Sequence, residues 1–330
     1  MPTRCPQFAD KGDEIRSFDN APFSRIDRQI VVNDPAFEQL IDDLLPTSRK
    51  GGVNRRVLSV LVANLIRCWW DDPDAFIALP MSNRAKDYRT KINGRRNRYN
   101  PGEVSTLIIA HVDSLADAGL IDRRRGGVHP DTQQRALTRI RPDLDLLAMF
   151  EALPVSVRQS VALHPSAEFI ILRDSDKNDI NYIDTDETRA MRRRLVGYNL
   201  LLDRTFIDIP SLGHPPVIVT QNKARRGRQP STRRVTISQS SKRVYRIFSN
   251  GDWDQGGRFW RGFWMNLRSA ERRLLHINNE PTVELDYAGL HPVLLYAEAG
   301  IDYWAGSDRR PYETIEVLDN DTGELIMNSP

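Results

Sequence analysis

Two carboxylates, Glu284 and Asp286, stand two residues apart in Thr282-Val283-Glu284-Leu285-Asp286, and Tyr287-Ala288-Gly289 follows as a tight small-residue turn. Side chains alternate with period two along a strand, so Thr282, Glu284 and Asp286 share one face and Val283 and Leu285 the other, toward a core. Leu290, Val293, Leu294 and Ala297 then recur at helical spacing, and Gly300 supplies a stop signal. A strand ending in an acid at such a turn presents one carboxylate to a metal ion beside a substrate. The same pattern also fits a structural strand-turn-helix whose acid caps the helix. Phosphoryl transfer by two metal ions needs a second well-placed carboxylate, and the acids after Asp286, from Asp302 to Glu324, form no second motif.

Upstream of this pattern lies chemistry for holding phosphates. No acid occurs between Asp208 and Asp252, an interval that contains Lys223, Arg225, Arg226, Arg228, Arg233, Arg234, Lys242, Arg243 and Arg246. A second basic cluster runs from Arg84 to Arg98, and a third is Arg123-Arg124-Arg125. The net charge is only +3, but phosphate contacts are local, so the clusters matter more than the sum. Phe259-Trp260-Arg261-Gly262-Phe263-Trp264 interleaves rings with arginine, a combination suited to base stacking and phosphate contact. At least two of its four rings are expected in the core, which leaves Arg258 and Arg261 as the better nucleic-acid contacts.

Asp286-Tyr287-Ala288-Gly289-Leu290-His291-Pro292 resembles the first metal-binding motif of DNA polymerases, which reads Asp-Tyr-Ser-Gln-Ile-Glu-Leu in family A and Asp-x-x-Ser-Leu-Tyr-Pro in family B. Gly257-Arg258 is similar to the Thr-Gly-Arg of family A, and Asn266-Leu267 with Arg272 falls where that family has Gln-Asn-Ile and a following Arg. The resemblance covers about residues 244–300. It implies that Asp286 binds catalytic Mg2+, that Tyr287 sits near the incoming nucleoside triphosphate, and that His291 takes the place of the residue under the nucleotide sugar. That residue is Glu in family A and Tyr in family B, so His291 departs from both. The second metal motif and a fingers region are not visible, and the expectation is an incomplete polymerase that does not polymerise as a single chain.

The elements that must position these residues are read from periodicity and caps. A short helix is expected near Asp34–Leu45. Val57, Leu58, Leu61, Val62, Leu65, Ile66 and Trp69 mark one apolar helical face. Asn100-Pro101-Gly102-Glu103 reads as a helix start and Gly119 as its stop. Two strands joined by the Arg- and Gly-rich tip after Ile121, and a closing helix over 143–153, complete a pattern that resembles a winged helix, with Arg123, Arg124 and Arg125 on the wing. Its helix before the wing carries Glu103, Asp113 and Asp117, poor for groove entry, so the basic segment before it and the wing are the expected phosphate contacts. Phe169–Leu172 reads as a buried strand, Thr185 as a helix cap, and 233–238 and 243–248 as strands.

The fold class is therefore α+β: an irregular leader over 1–52, a winged-helix-like domain over 53–153, a mixed α/β connector over 154–220, and a basic region with a partial palm-like strand-turn-helix over 221–330. Hydrophobic content of 40% and charged content of 28% fit a globular protein. No apolar run reaches the roughly 18–20 residues of a membrane span, so no membrane partner is expected. Cys5 and Cys68 are too few for a disulfide framework, and a reducing cytoplasm is the expected compartment. The expected partners are DNA or RNA, a nucleoside triphosphate, and another chain supplying the missing motifs. The leading expectation is a replication-type nucleic-acid-binding protein, a nucleotidyltransferase if active. The alternatives are a non-catalytic winged-helix initiator or regulator, and a metal-dependent nuclease using Glu284, Asp286 and Glu298.

Overall fold

The computed structural model describes residues 23–45, 51–128, 135–222, 231–284, 290–303 and 305. Its architecture is mixed α+β, with small sheets around two hydrophobic cores. Strands β1 (Phe23–Arg25) and β2 (Ile30–Val32) enter the first core, followed by helix α1 (Pro35–Leu44). The Asp34 carboxylate caps α1 by accepting the Ala36 N–H at 2.8 Å. Helix α2 (Gly52–Asp71) carries the apolar face read from the sequence and buries more than it, including Val60, Asn64 and Cys68. It packs against α1, β2 and the sheet that follows, so it is the centre of this core rather than a surface helix.

After α2 come β3 (Phe76–Leu79), a short hairpin of β4 (Lys91–Ile92) and β5 (Arg95–Arg96), and α3 (Leu107–Asp117). The two strands expected to form a wing are β6 (Ile121–Arg124) and β9 (Thr138–Pro142), paired antiparallel, with β7 (Gly127–Val128) and β8 (Arg135–Ala136) beyond them. Helices α4 (Leu144–Glu151) and α5 (Val155–Gln159) and strand β10 (Val161–Leu163) close the unit, β10 pairing antiparallel with β2. The sheet order is β1-β3-β9-β6, with β1 parallel to β3 and the other pairs antiparallel. Phe76, on β3, lies under two arginines, Arg124 at 4.3 Å and Arg141 at 4.8 Å from the ring centre.

One expected helix start is corrected. Asn100 does not cap a helix; α3 begins at Leu107. The fully buried Asn100 side chain instead accepts the Val104 N–H at 3.0 Å and donates to the Val104 carbonyl at 2.8 Å. It closes a polar turn in which Glu103 adopts a φ of 51° and pairs with Arg56 and Arg96. A side chain that satisfies both backbone groups of one residue competes with the helix it was read to start.

The second core contains β11 (Ile170–Leu172), α6 (Asp186–Arg204), β12 (Ile207–Asp208), the hairpin β13 (Val217–Asn222) and β14 (Ser231–Thr236), β15 (Tyr245–Phe248) and β16 (Gly256–Trp260). Helix α7 (Ser269–Arg272), strands β17 (His276–Ile277) and β18 (Glu280–Pro281) and helix α8 (Leu290–Glu298) follow. β15 is central in its sheet, parallel to β11 and antiparallel to β16. Thr185 caps α6 in a reciprocal box with Thr188. On the buried side of α6, Asn199 accepts the Val244 N–H at 2.8 Å and donates to the Val244 carbonyl at 2.9 Å, which docks the helix on the strand entry. Of the expected strand over 282–286, Thr282–Glu284 is irregular after β18 ends at Pro281, and 285–286 lie outside the described residues. The Thr282 N–H and hydroxyl both bond the Leu275 carbonyl, which carries the β17–β18 register one pair further before the segment leaves it.

Polar groups stitch the two cores together. Gln29 accepts the Glu168 N–H on its side chain and the His164 N–H on its backbone carbonyl, both at 2.6 Å. The Tyr99 hydroxyl donates to the Ile180 carbonyl and accepts the Leu172 N–H. Glu168, buried, pairs with Arg98 at 3.2 Å and Arg192 at 3.0 Å, and both arginines also reach Asp184. Burial pushes the Asp184 carboxyl up, but hydrogen bonds from Arg192 and Arg98 outweigh it and hold the group below the usual carboxylate range. Asp184 therefore stabilises the fold above its unfolded pKa of about 3.9, and that contribution is lost as the pH falls through the lower folded value. Arg192→Ala is expected to cost about 3 kcal/mol by stranding a buried carboxylate. Its deficit in melting temperature should shrink as the pH falls below about 4 toward the lowered folded value of Asp184, where that pair also dissolves in the wild type; calorimetry across pH checks both, and a deficit constant down to pH ~2 would discount the Asp184 pair.

A cationic cleft as candidate nucleic-acid interface

The seam between the cores opens into a cleft of about 620 Å³. Arg25, Arg28, Arg67, Lys86, Arg89, Arg173, Lys177 and Arg261 line it, opposed by Asp27, Asp87 and Asp179. Low-dielectric walls lined by one sign of charge focus potential into the opening. α2 positions the floor. Asn64 accepts the Asp27 N–H at 2.8 Å and donates to the Asp27 carbonyl at 2.9 Å, and Arg67, one turn further on, pairs with Asp27 at 3.2 Å. Burial pushes the Asp27 carboxyl up, yet Arg67, the Gln29 N–H and Arg261 hold it below the usual range. Lys86 bonds the Asn178 side chain across the cleft, Arg28 donates to the Asp87 carbonyl at 2.6 Å, and Arg173 pairs with Asp179 at 3.0 Å. Arg25, Arg89 and Lys177 are exposed, and their side chains make no ion pair or hydrogen bond among the described residues. These three are the cations left for an anion from outside.

Arg261 reaches the cleft from an unusual backbone. Its φ is 86°, a region that costs a side-chain-bearing residue on the order of 1–3 kcal/mol unless its surroundings enforce it. The surroundings are Gly262, where a Cβ would stand 2.5 Å from the Trp264 indole, and the Tyr245 ring, 4.2 Å under the guanidinium. Phe263 is buried and Trp264 packs on the second core, while Phe259 and Trp260 stay about half exposed. Two of the four rings are thus core, as expected. Arg258 is exposed on β16 beside a bulge at Gly256-Gly257. A Cβ on Gly257 would meet the Phe248 ring at 2.7 Å.

The other expected contacts are placed differently. Arg233 pairs with Glu271 at 3.0 Å, Arg234 holds Asp72 by two bonds at 2.6 and 2.7 Å, and Arg123 pairs with Asp113 at 2.5 Å. Arg124 lies on Phe76, and Arg125 is exposed at the base of the wing. Arg225, Arg226, Arg228, Asp286 and Tyr287 lie outside the described residues. His291 is exposed in the first turn of α8. Among the described residues no three His, Cys, Asp or Glu gather where they could hold a metal. Glu284, beside the motif acid, is held by Arg272 at 2.6 Å and by the Ser269 hydroxyl at 3.3 Å, and Arg272 keeps its carboxyl below the usual range. It is engaged in that ion pair among the described residues.

Sequence reasoning reached Lys86, Arg89 and Arg261 of the cleft. It missed Arg25, Arg28, Arg67, Arg173 and Lys177, which are scattered singly along the chain and form no cluster. No protein-family model matches the chain, and no curated protein or solved structure matches it either. Arg234→Ala is expected to lower stability by about 3 kcal/mol, because Asp72 is 2% exposed and loses its only bidentate partner among the described residues. Arg258→Ala should stay within about 0.5 kcal/mol. Urea midpoints test both, and equal midpoints would show that Arg234 is not structural.

Proposed function

We propose that this chain is a nucleic-acid-binding protein of the replication type that grips the phosphate backbone in the seam between its two cores. The observation that carries this reading is the cationic cleft, where Arg25, Arg89 and Lys177 have no ion-pair or hydrogen-bond partner among the described residues. A winged helix is supported for the first core by the order β3-β9-β6 with the hairpin following α3. Since α3 carries no Lys or Arg, contact through the cleft fits better than entry of α3 into a groove. The resemblance of 286–292 to a polymerase metal motif favours replication over other nucleic-acid work. Binding through the cleft requires no metal.

Fluorescence anisotropy of labelled DNA against salt tests the proposal. Phosphate contacts release counterions, with a slope of about 0.7 per contact on single strands. Replacing Arg25, Arg89 and Lys177 together by Ala should flatten the slope of log affinity on log salt by about two and leave the melting temperature unchanged. A triple variant that binds with wild-type affinity and slope would sink the cleft as the interface.

A further inference from the structure

The cleft is one end of a longer groove. A second cavity of about 430 Å³ shares Arg25, Asp27, Arg67 and Arg261 with it. A third, of about 630 Å³, shares Arg67, Asp71, Ser240 and Arg243 with the second. Arg67 borders all three, so the cavities lie in succession beside the C-terminal half of α2, as a path of three. The character of the path changes along its length. The first cavity is cationic. The third has an apolar wall of Val161, Leu163, Val196 and Leu200 beside Trp70. There the exposed Arg158 guanidinium lies over the Trp70 ring, 5.5 Å from its centre, which marks that face of the ring as one that a flat π-system can occupy.

We infer that this path is a track for single-stranded nucleic acid, with phosphates in the cationic cleft and a base stacked on Trp70 at the far end; the inference rests on the nucleic-acid reading above. A duplex presents its outer surface to a protein, and its paired bases do not enter cavities of this size. A single strand can splay a base onto an aromatic face while its backbone follows a basic groove. A base on Trp70 takes the place of Arg158 and frees that guanidinium for the adjacent phosphate.

The full chain is titrated with a short labelled oligo(dT), an oligo(U) of equal length and a blunt duplex, in wild type, Trp70→Ala, Trp70→Phe and Arg158→Ala. Tighter binding of either single strand than of the duplex is expected, and the tighter of the two names the source. Trp70→Ala should weaken single-strand binding about ten-fold, the loss of one stacked base, with duplex binding unchanged and Trp70→Phe close to wild type. Trp70 is half-buried on the first core, so Arg158→Ala, at an exposed position, decides the matter if the alanine variant does not fold; it should weaken single-strand binding by a smaller factor. Duplex binding as tight as single-strand binding, or no effect of either substitution on the single strand, overturns the track and leaves the cleft standing. No salt-dependent binding of any of the three overturns the nucleic-acid reading itself.

Discussion

Two hydrophobic cores held together across a polar seam need strong, directional contacts there, and arginine–carboxylate pairs supply them. Glu168 with Arg98 and Arg192, and Asp72 with Arg234, place buried or nearly buried acids against guanidinium groups contributed from distant parts of the chain. Ionised acids at such depth are tolerated only when paired and hydrogen-bonded; Asp72 with Arg234 ties the end of α2 to β14 across the seam, and Glu168 with Arg98 and Arg192 ties α6 and the segment before Tyr99 to the entry of β11. The cleft inherits its shape from this stitching. It also inherits its charge, because Arg25, Arg89 and Lys177 line it with no acid partner among the described residues.

The same division explains why local elements were legible in the sequence and the interface was not. α1 with its Asp34 cap, the apolar face of α2, the antiparallel strands β6 and β9, the buried strand β11 and the Thr185 cap of α6 depend on neighbours a few residues away. Periodicity and capping chemistry report such neighbours. The acid-free interval from 209 to 251 was read as a free basic surface. Yet Arg233, Arg234 and Arg243 pair with Glu271, Asp72 and Asp203, acids outside the interval. A run of one charge sign does not reveal that its partners lie 38 to 162 residues away.

The two misread elements share a physical cause. Asn100 and Thr282 each carry a side chain that bonds backbone groups, Val104 for Asn100 and Leu275 for Thr282. Both residues stand where an alternation or a cap suggested regular structure. Such bonds offer the backbone an alternative to a helix or a ladder, and which one wins depends on whether a sheet partner or a helical register is available. For Thr282–Glu284 the competitor also includes Arg272, which takes up the Glu284 carboxylate. The carboxylate that spacing placed beside Asp286 thus turns toward α7.

The aromatic–arginine segment shows why a choice between core and contact was too coarse. Phe263 and Trp264 belong to the core, and their packing forces Gly262 to have no Cβ and keeps Arg261 at a positive φ. A strained residue persists only where its surroundings over-determine it, and here the surroundings are those rings together with Tyr245. The guanidinium is thereby directed toward Asp27 and Arg67 at the junction of two cavities. Core packing and the placement of a cation are successive steps of one arrangement: with Phe263 buried and Trp264 packed on the second core, Arg261 just before them is held at the junction of two cavities.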